Sequence, residues 1–99
     1  MARFHVYKTY DFDGLALDCQ ADVLDDLTTR FVLPLVAEAD IRRTYSHLNP
    51  TFTIEDRRYV LAPQGAAAIS RRSIVRHVAS LEHEQSAIMN ALDMLLTGY

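Results

Sequence analysis

The chain has 99 residues, 49% of them hydrophobic and 23% charged, which is the balance of a folded domain and excludes a disordered segment. This length closes around one core, so a single domain over residues 1–99 is expected. A net charge of −3 sets the chain apart from proteins that grip nucleic acid directly, and its single cysteine, Cys19, excludes an internal disulfide framework or a cysteine-rich zinc site. The apolar stretch Phe31–Val36 is six residues, far short of a membrane span. The start, MARFHVYKTY, lacks the apolar core and small-residue cleavage site of an export signal, so a cytoplasmic protein with no membrane partner is expected.

In chain order, Phe4-His5-Val6-Tyr7-Lys8 reads as a first strand. Tyr10–Gly14 reads as a turn in which Gly14 is free to take positive φ. Leu15, Leu17 and Cys19 recur with the period of two of a half-buried strand over Leu15–Gln20, so these runs form a hairpin with a long loop and Cys19 is a buried thiol. Phe31–Val36 is a buried strand in which Pro34, having no N–H, demands an edge, a strand end or a bulge. Val36–Leu48 is ambiguous: Ala37-Glu38-Ala39 favours helix, while Thr44-Tyr45-Ser46 weakens it. Thr51–Ile54 and Tyr59–Ala62 flank the charged turn Glu55–Arg58 as a second hairpin, broken by Pro63-Gln64-Gly65. In the last twenty residues Ser80 is a cap, Glu82 and Glu84 lie in the first turn, and Leu81, Ile88, Leu92, Leu95 and Leu96 form one helical stripe that Gly98 ends. A strand-rich body with one C-terminal helix is an α+β fold.

Charge is unevenly placed. From Asp11 to Asp26 there are six acids and no base; from Arg57 to Arg76 there are five arginines and no acid. These runs are either solvated faces or surfaces that meet partners of opposite charge. Ser70-Arg71-Arg72 with Arg76 is the best anion-binding candidate: were residues 71–76 helical, Arg72 and Arg76 would share a face. His5, His47, His77 and His83 show no metal-ligand spacing, Asp25-Asp26 read as loop or capping acids, and no phosphate-binding motif occurs. No catalytic constellation, cofactor or metal is expected. Tyr99, a bulky aromatic at the very end, either contacts a partner or packs back on the sheet.

Four segments in register resemble the CcdB family of toxins. They are Arg3–Tyr7, Asp18–Asp25, Arg30–Leu35, and Val78–His83 followed by Ile88–Leu95 and Gly98. The resemblance spans essentially the whole chain. It implies a strongly bent antiparallel sheet of the SH3-like barrel type with a C-terminal helix, and a homodimer. It implies a type II toxin that is not an enzyme, binds the A subunit of DNA gyrase and traps it on cleaved DNA, and is neutralised by a labile CcdA-like antitoxin. The family's gyrase-contacting positions fall on Val23 and Leu24 and on Asp93, Leu96, Thr97, Gly98 and Tyr99; Thr97 stands where the best-known member has tryptophan. Charge suggests that Asp11, Asp13 and Asp22 steer a basic antitoxin segment. Two other readings stand beside this one. The band Arg57, Arg58, Arg71, Arg72 and Arg76 fits an RNA-cleaving toxin on a related barrel; Thr97 fits a toxin-derived module that binds antitoxin but no longer poisons gyrase.

Overall fold

The computed structural model describes residues 1–98; Tyr99 and the two roles assigned to it lie outside the described residues. The strands are β1 (His5–Thr9), β2 (Leu15–Asp18), β3 (Thr29–Ala37), β4 (Thr51–Ile54), β5 (Arg57–Leu61), β6 (Ala67–Ser70) and β7 (Ile74–Ser80), and one helix follows, α1 (Gln85–Thr97). They make one antiparallel sheet in the order β4-β5-β3-β2-β1-β7, with β6 also on β3. Its strong curl gives a half-barrel with a C-terminal helix, the α+β architecture expected.

β3 is the spine. Its length lets one side pair with β2 while the other pairs first with β6 and then with β5. Pro34 sits at this switch and not at an outer edge. Its carbonyl accepts the Ala62 N–H at 2.9 Å, and its nitrogen faces the gap between the two partners, where no ladder bond is lost. Gly14 has an equally local reason. Its φ is not positive; a Cβ there would lie 2.2 Å from the Leu35 carbonyl oxygen, so close strand packing, not turn geometry, requires glycine. The second hairpin turns on Glu55 and Asp56 alone, both at positive φ (51° and 63°), and β5 resumes at Arg57.

Two apolar clusters lie on opposite faces of the sheet. The larger joins Val6, Leu17, Leu33, Leu35 and Leu61 to Ile88, Ala91 and Leu92 of α1; the smaller joins Ala16, Val32 and Ile69, with Phe12 against them. Phe4 is held at φ 67°, costly for an aromatic, by two backbone bonds: its N–H to the Asp18 carbonyl (2.6 Å) and its carbonyl from the Leu81 N–H (2.8 Å). Its ring is thereby sunk in the core at the meeting point of β1, β2 and the start of the helical segment.

The structure corrects the sequence reading in three further places. Residues 67–80 are two strands around a 3-10 turn (Arg71–Ser73), so Arg72 and Arg76 do not share a helical face. The β-branched Ile69, Ile74, Val75 and Val78 suit a pleated surface better than a helix, and their pairing with β3 and β1 settles it. Residues 38–49 hold only a 3-10 turn at Glu38–Asp40 and irregular chain, because β3 runs through Ala37 and Pro50 stops any helix. The helix begins at Gln85; the Ser80 hydroxyl instead accepts the Glu82 N–H of the preceding 3-10 turn, and Leu95 and Leu96 leave the core. Gly98 ends α1 as expected, at φ 81° with its N–H on the Met94 carbonyl.

Candidate functional site

The segment between β2 and β3 carries Val23 and Leu24 on a 3-10 turn, Asp22–Leu24. Val23 is 86% exposed, and Leu24 and Leu27 are each nearly half exposed. Apolar side chains on a loop usually collapse inward; here charged and polar groups hold the backbone so that they face out. Arg30, fully buried, donates Nε (3.0 Å) and Nη2 (2.6 Å) to Asp18 Oδ2 and Nη1 (2.9 Å) to Asp25 Oδ1. Arg71 donates to the carbonyls of Asp25 and Leu27 from the far side of β6. Gln20 Nε2 donates to the Leu24 carbonyl (3.0 Å) while its Oε1 accepts the Phe31 N–H (2.9 Å). Side chains thus supply many of the loop's anchors, beside backbone bonds such as Arg71 N–H to the Thr28 carbonyl. Burial pushes the Asp18 carboxyl up, against the opposing pull of the Gln20 N–H and the Arg30 guanidinium. The role of Arg30 was not visible in the sequence; a lone arginine opening an apolar run was the available signal.

At the other end of the chain, Leu96 is 75% exposed, and Asp93, Thr97 and Gly98 are exposed with it. The Thr97 hydroxyl donates to the Asp93 carbonyl at 2.7 Å and tightens the last turn. Arg3 ties this helix to the loop. Its N–H donates to Asp22 Oδ1 (2.9 Å), its guanidinium lies over the Phe4 ring (4.6 Å), and Nη2 reaches Met89 Sδ (3.5 Å). Met89, Asp93 and Leu96 recur at i, i+4 and i+7, one face of α1. Arg3 thus contacts both the Val23-Leu24 segment, at Asp22, and α1, at Met89.

The three acids assigned to antitoxin do not form one patch. Asp11 and Asp13 lie in the loop before β2, Asp11 accepting the Thr9 hydroxyl at 2.9 Å; Asp22 follows the other end of β2 and is bound to the Arg3 N–H. Asp13 borders an open cleft of about 880 Å³ shared with Lys8, Asp40, Glu55, Arg57 and Arg76. The arginine band is dispersed as well. Arg58 pairs with Glu38 (3.2 Å), Arg71 grips the loop, and Arg76 lies 3.9 Å from Glu55.

Two further groups bear on chemistry. Cys19 is buried, and burial pushes its thiol up to about 12, with the Asp18 charge adding to the effect; it remains a protonated core residue. His5 bridges His77 (Nδ1 to Nε2, 2.8 Å) and Glu82 (Nε2 to Oε1, 3.0 Å), a chain across β1, β7 and the start of the helical segment that the sequence did not reveal. The three do not converge on a point, and no cluster fit to hold a metal ion occurs among the described residues. No described helix is long and apolar enough to cross a membrane.

A curled antiparallel half-barrel with one C-terminal helix is the fold of the MazF-like and CcdB-like toxins. A solved structure described as an endoribonuclease in complex with its cognate antitoxin, from a Mycobacterial species, superposes with a TM-score of 0.79 at 16% identity, covering 97% of this chain and 94% of that one. The Mycobacterium tuberculosis toxin MazF-mt6 superposes at 0.76 with 15% identity, covering 96% of each chain. Within that fold, the model of the CcdB protein family matches residues 3–98. The chain belongs to the CcdB family, and so to the toxins of toxin–antitoxin systems.

Proposed function

We propose that the protein acts without catalysis, as a symmetric dimer that binds the A subunit of DNA gyrase and holds the enzyme on cleaved DNA. One observation carries the reading: Val23 and Leu24 stand exposed on a braced loop, and Arg3 bonds both that loop at Asp22 and, at Met89, the helix whose exposed end carries Asp93 and Leu96. A prearranged apolar surface of this kind lowers the ordering cost of docking. Two-fold pairing of helix ends would present two such surfaces to a two-fold target. The test is purified protein with gyrase, plasmid and ATP, scored for cleaved-DNA complexes. Stabilised cleavage supports the proposal; no effect, together with tight binding to an antitoxin peptide, transfers support to the toxin-derived module.

Thr97 gives a second test. A tryptophan there would supply a hot-spot anchor of about 2 kcal/mol. Thr97→Trp is therefore expected to tighten gyrase binding about 30-fold in a titration. Unchanged affinity would remove the helix end from the contact.

Neutralisation by a CcdA-like antitoxin is part of the same proposal, with Asp11, Asp13 and Asp22 as the acids that steer a basic segment. Replacing all three by asparagine should slow association at low salt, and an unchanged on-rate removes the steering role. The cleft beside Asp13 favours one other reading, an RNA-cleaving toxin, because Lys8, Arg57 and Arg76 face Asp40 and Glu55 across it. Incubation with RNA in chelator decides it: absence of metal-independent cleavage ends that reading.

A further inference from the structure

The fold leaves most of the hydrogen-bonding capacity of Arg3 unused. Its guanidinium reaches the Met89 sulfur, a weak acceptor, from Nη2 at 3.5 Å. Nε is buried with no acceptor at all, and no other buried side-chain nitrogen or oxygen among the described residues is left so. Arg30, Arg58, Arg71 and Arg76 each lie 2.6–3.9 Å from a carboxylate oxygen, whereas no carboxylate pairs with the Arg3 guanidinium among the described residues. Asp22, the acid bonded to Arg3, gives Oδ1 to its backbone N–H instead.

Arg30 shows what the same edge of a guanidinium holds when an acid is present: its Nε and Nη2 both grip Asp18 Oδ2, at 3.0 and 2.6 Å. In Arg3 that edge carries only the sulfur. Its plane is already set. The guanidinium lies over the Phe4 ring at 4.6 Å, and the Phe4 backbone is bonded to Asp18 on one side and Leu81 on the other. A fixed fork with an unused edge matches a carboxylate, which accepts two parallel N–H bonds. Met89, unbranched and only partly buried, is the pliable group that moves aside. A string of phosphates fits the place less well. Asp22, bonded to the Arg3 backbone, and Asp93, one turn beyond Met89, are both exposed and repel a polyanion.

We propose that Arg3 receives a carboxylate from the protein that docks on Val23 and Leu24, the acid taking the Nε–Nη2 edge that Met89 covers in the free chain. Val23 and Leu24 follow Asp22 directly, so the partner surface is apolar with one acidic side chain set into it. An arginine fixed beside exposed apolar side chains is also the composition of a binding hot spot. The partner's identity rests on the gyrase reading; the chemistry of the contact does not.

The test has one arm without gyrase and one with it. Blocked leucyl-glutamate and leucyl-glutamine dipeptides are titrated into the isotope-labelled protein at low salt, with a short DNA duplex as the phosphate probe. The glutamate peptide is expected to shift the Arg3 Nε–H signal and the amides of residues 22–24, and the glutamine peptide to bind about 10-fold more weakly. In the second arm, Arg3→Gln is expected to weaken binding of the gyrase A subunit by about 10-fold or more, chiefly through faster dissociation. Arg3→Lys is expected to restore only part of it, because lysine lacks the planar fork. Amides of the α1 core, unchanged in both variants, report an intact fold. A response to the glutamate peptide with no gyrase binding by the wild type sinks the gyrase reading and supports the carboxylate site. Three results would overturn the proposal: the two peptides behaving alike; DNA, and not the glutamate peptide, shifting the Arg3 signal; or gyrase binding unchanged in Arg3→Gln.

Discussion

The acid-rich stretch from Asp11 to Asp26 and the arginine-rich stretch from Arg57 to Arg76 look alike in sequence, each a run of one charge. In the fold they behave differently. The acidic run is partly drawn inside: Asp18 is fully buried against Arg30, Asp25 completes the same network, and Asp22 caps the Arg3 N–H. The arginine run is spread over β5, the turn before β7 and β7 itself, and most of it stays in solvent. One run therefore shapes a loop that holds apolar side chains outward, and the other colours a sheet edge. A charge run becomes structure where a buried counter-charge meets it, and here that counter-charge is Arg30.

The strongest way to break this contrast is to remove Arg30. Arg30→Ala leaves Asp18 buried without its cation, and such losses cost about 3–5 kcal/mol. Chemical denaturation should show that drop, and hydrogen exchange should show residues 21–28 opening. The double variant Arg30→Met, Asp18→Leu removes both charges and should recover most of the stability in the same measurement. If the double variant is no better than the single, packing and not charge holds the pair.

Cys19 sharpens the contrast from the same buried strand end. Its thiol is raised to about 12 from 9.0, so above pH 9 the unfolded chain releases a proton that the folded chain retains. Stability therefore falls as pH rises from about 9 toward 12, by at most about 1.4 kcal/mol per pH unit from this group. Thermal melts of the wild type and Cys19→Ala between pH 8 and 10.5 should diverge accordingly, the wild type losing more.

Asp25→Asn has a smaller effect. Its carboxylate is half exposed while Arg30 is not, so a loss of about 1 kcal/mol is expected, discounted for solvent. The informative readout is local: faster amide exchange at residues 22–27, with the β7 edge unaffected. A uniform loss of protection across the sheet would mean that Asp25 supports the whole fold and does not specifically brace the loop.

Much of this was legible in the residues. A period-two apolar run marked β2, alternating side-chain size marked β1, two runs around a charged turn marked the hairpin β4–β5, Gly98 marked the helix end, and the register of four segments marked the family. The missed parts have a common cause. β6 is only four residues long, Arg71-Arg72-Ser73 separates it from β7, and β7 exposes Val75, Arg76 and His77 in succession, so their pattern is weak until β3 and β1 supply the partners. The Arg30–Asp18 pair and the bonds of His5 to His77 and Glu82 join residues more than ten positions apart, and nothing in local spacing encodes such meetings. For the candidate surface, resemblance offered Val23, Leu24 and the helix end, whereas the bonds of Arg3 to Asp22 and to Met89 emerged only in three dimensions.

The smallest expected effect tests the other side of the comparison. Arg58 sits in the arginine run and meets Glu38 with Nε 3.2 and 3.3 Å from the two carboxylate oxygens, yet both side chains are about half exposed. Water solvates each charge almost as well without the other, and holding two long side chains in one geometry costs rotamer freedom. Arg58→Ala should therefore change stability by less than about 0.5 kcal/mol, against the several expected for Arg30. Ion-pair distances alone would rank the two closer than that. What separates them is solvent: Arg30 has lost all of its water and must be paid in contacts, and Arg58 has kept its own. A denaturation difference above about 1 kcal/mol for Arg58→Ala would mean that the arginine run, too, is part of the framework.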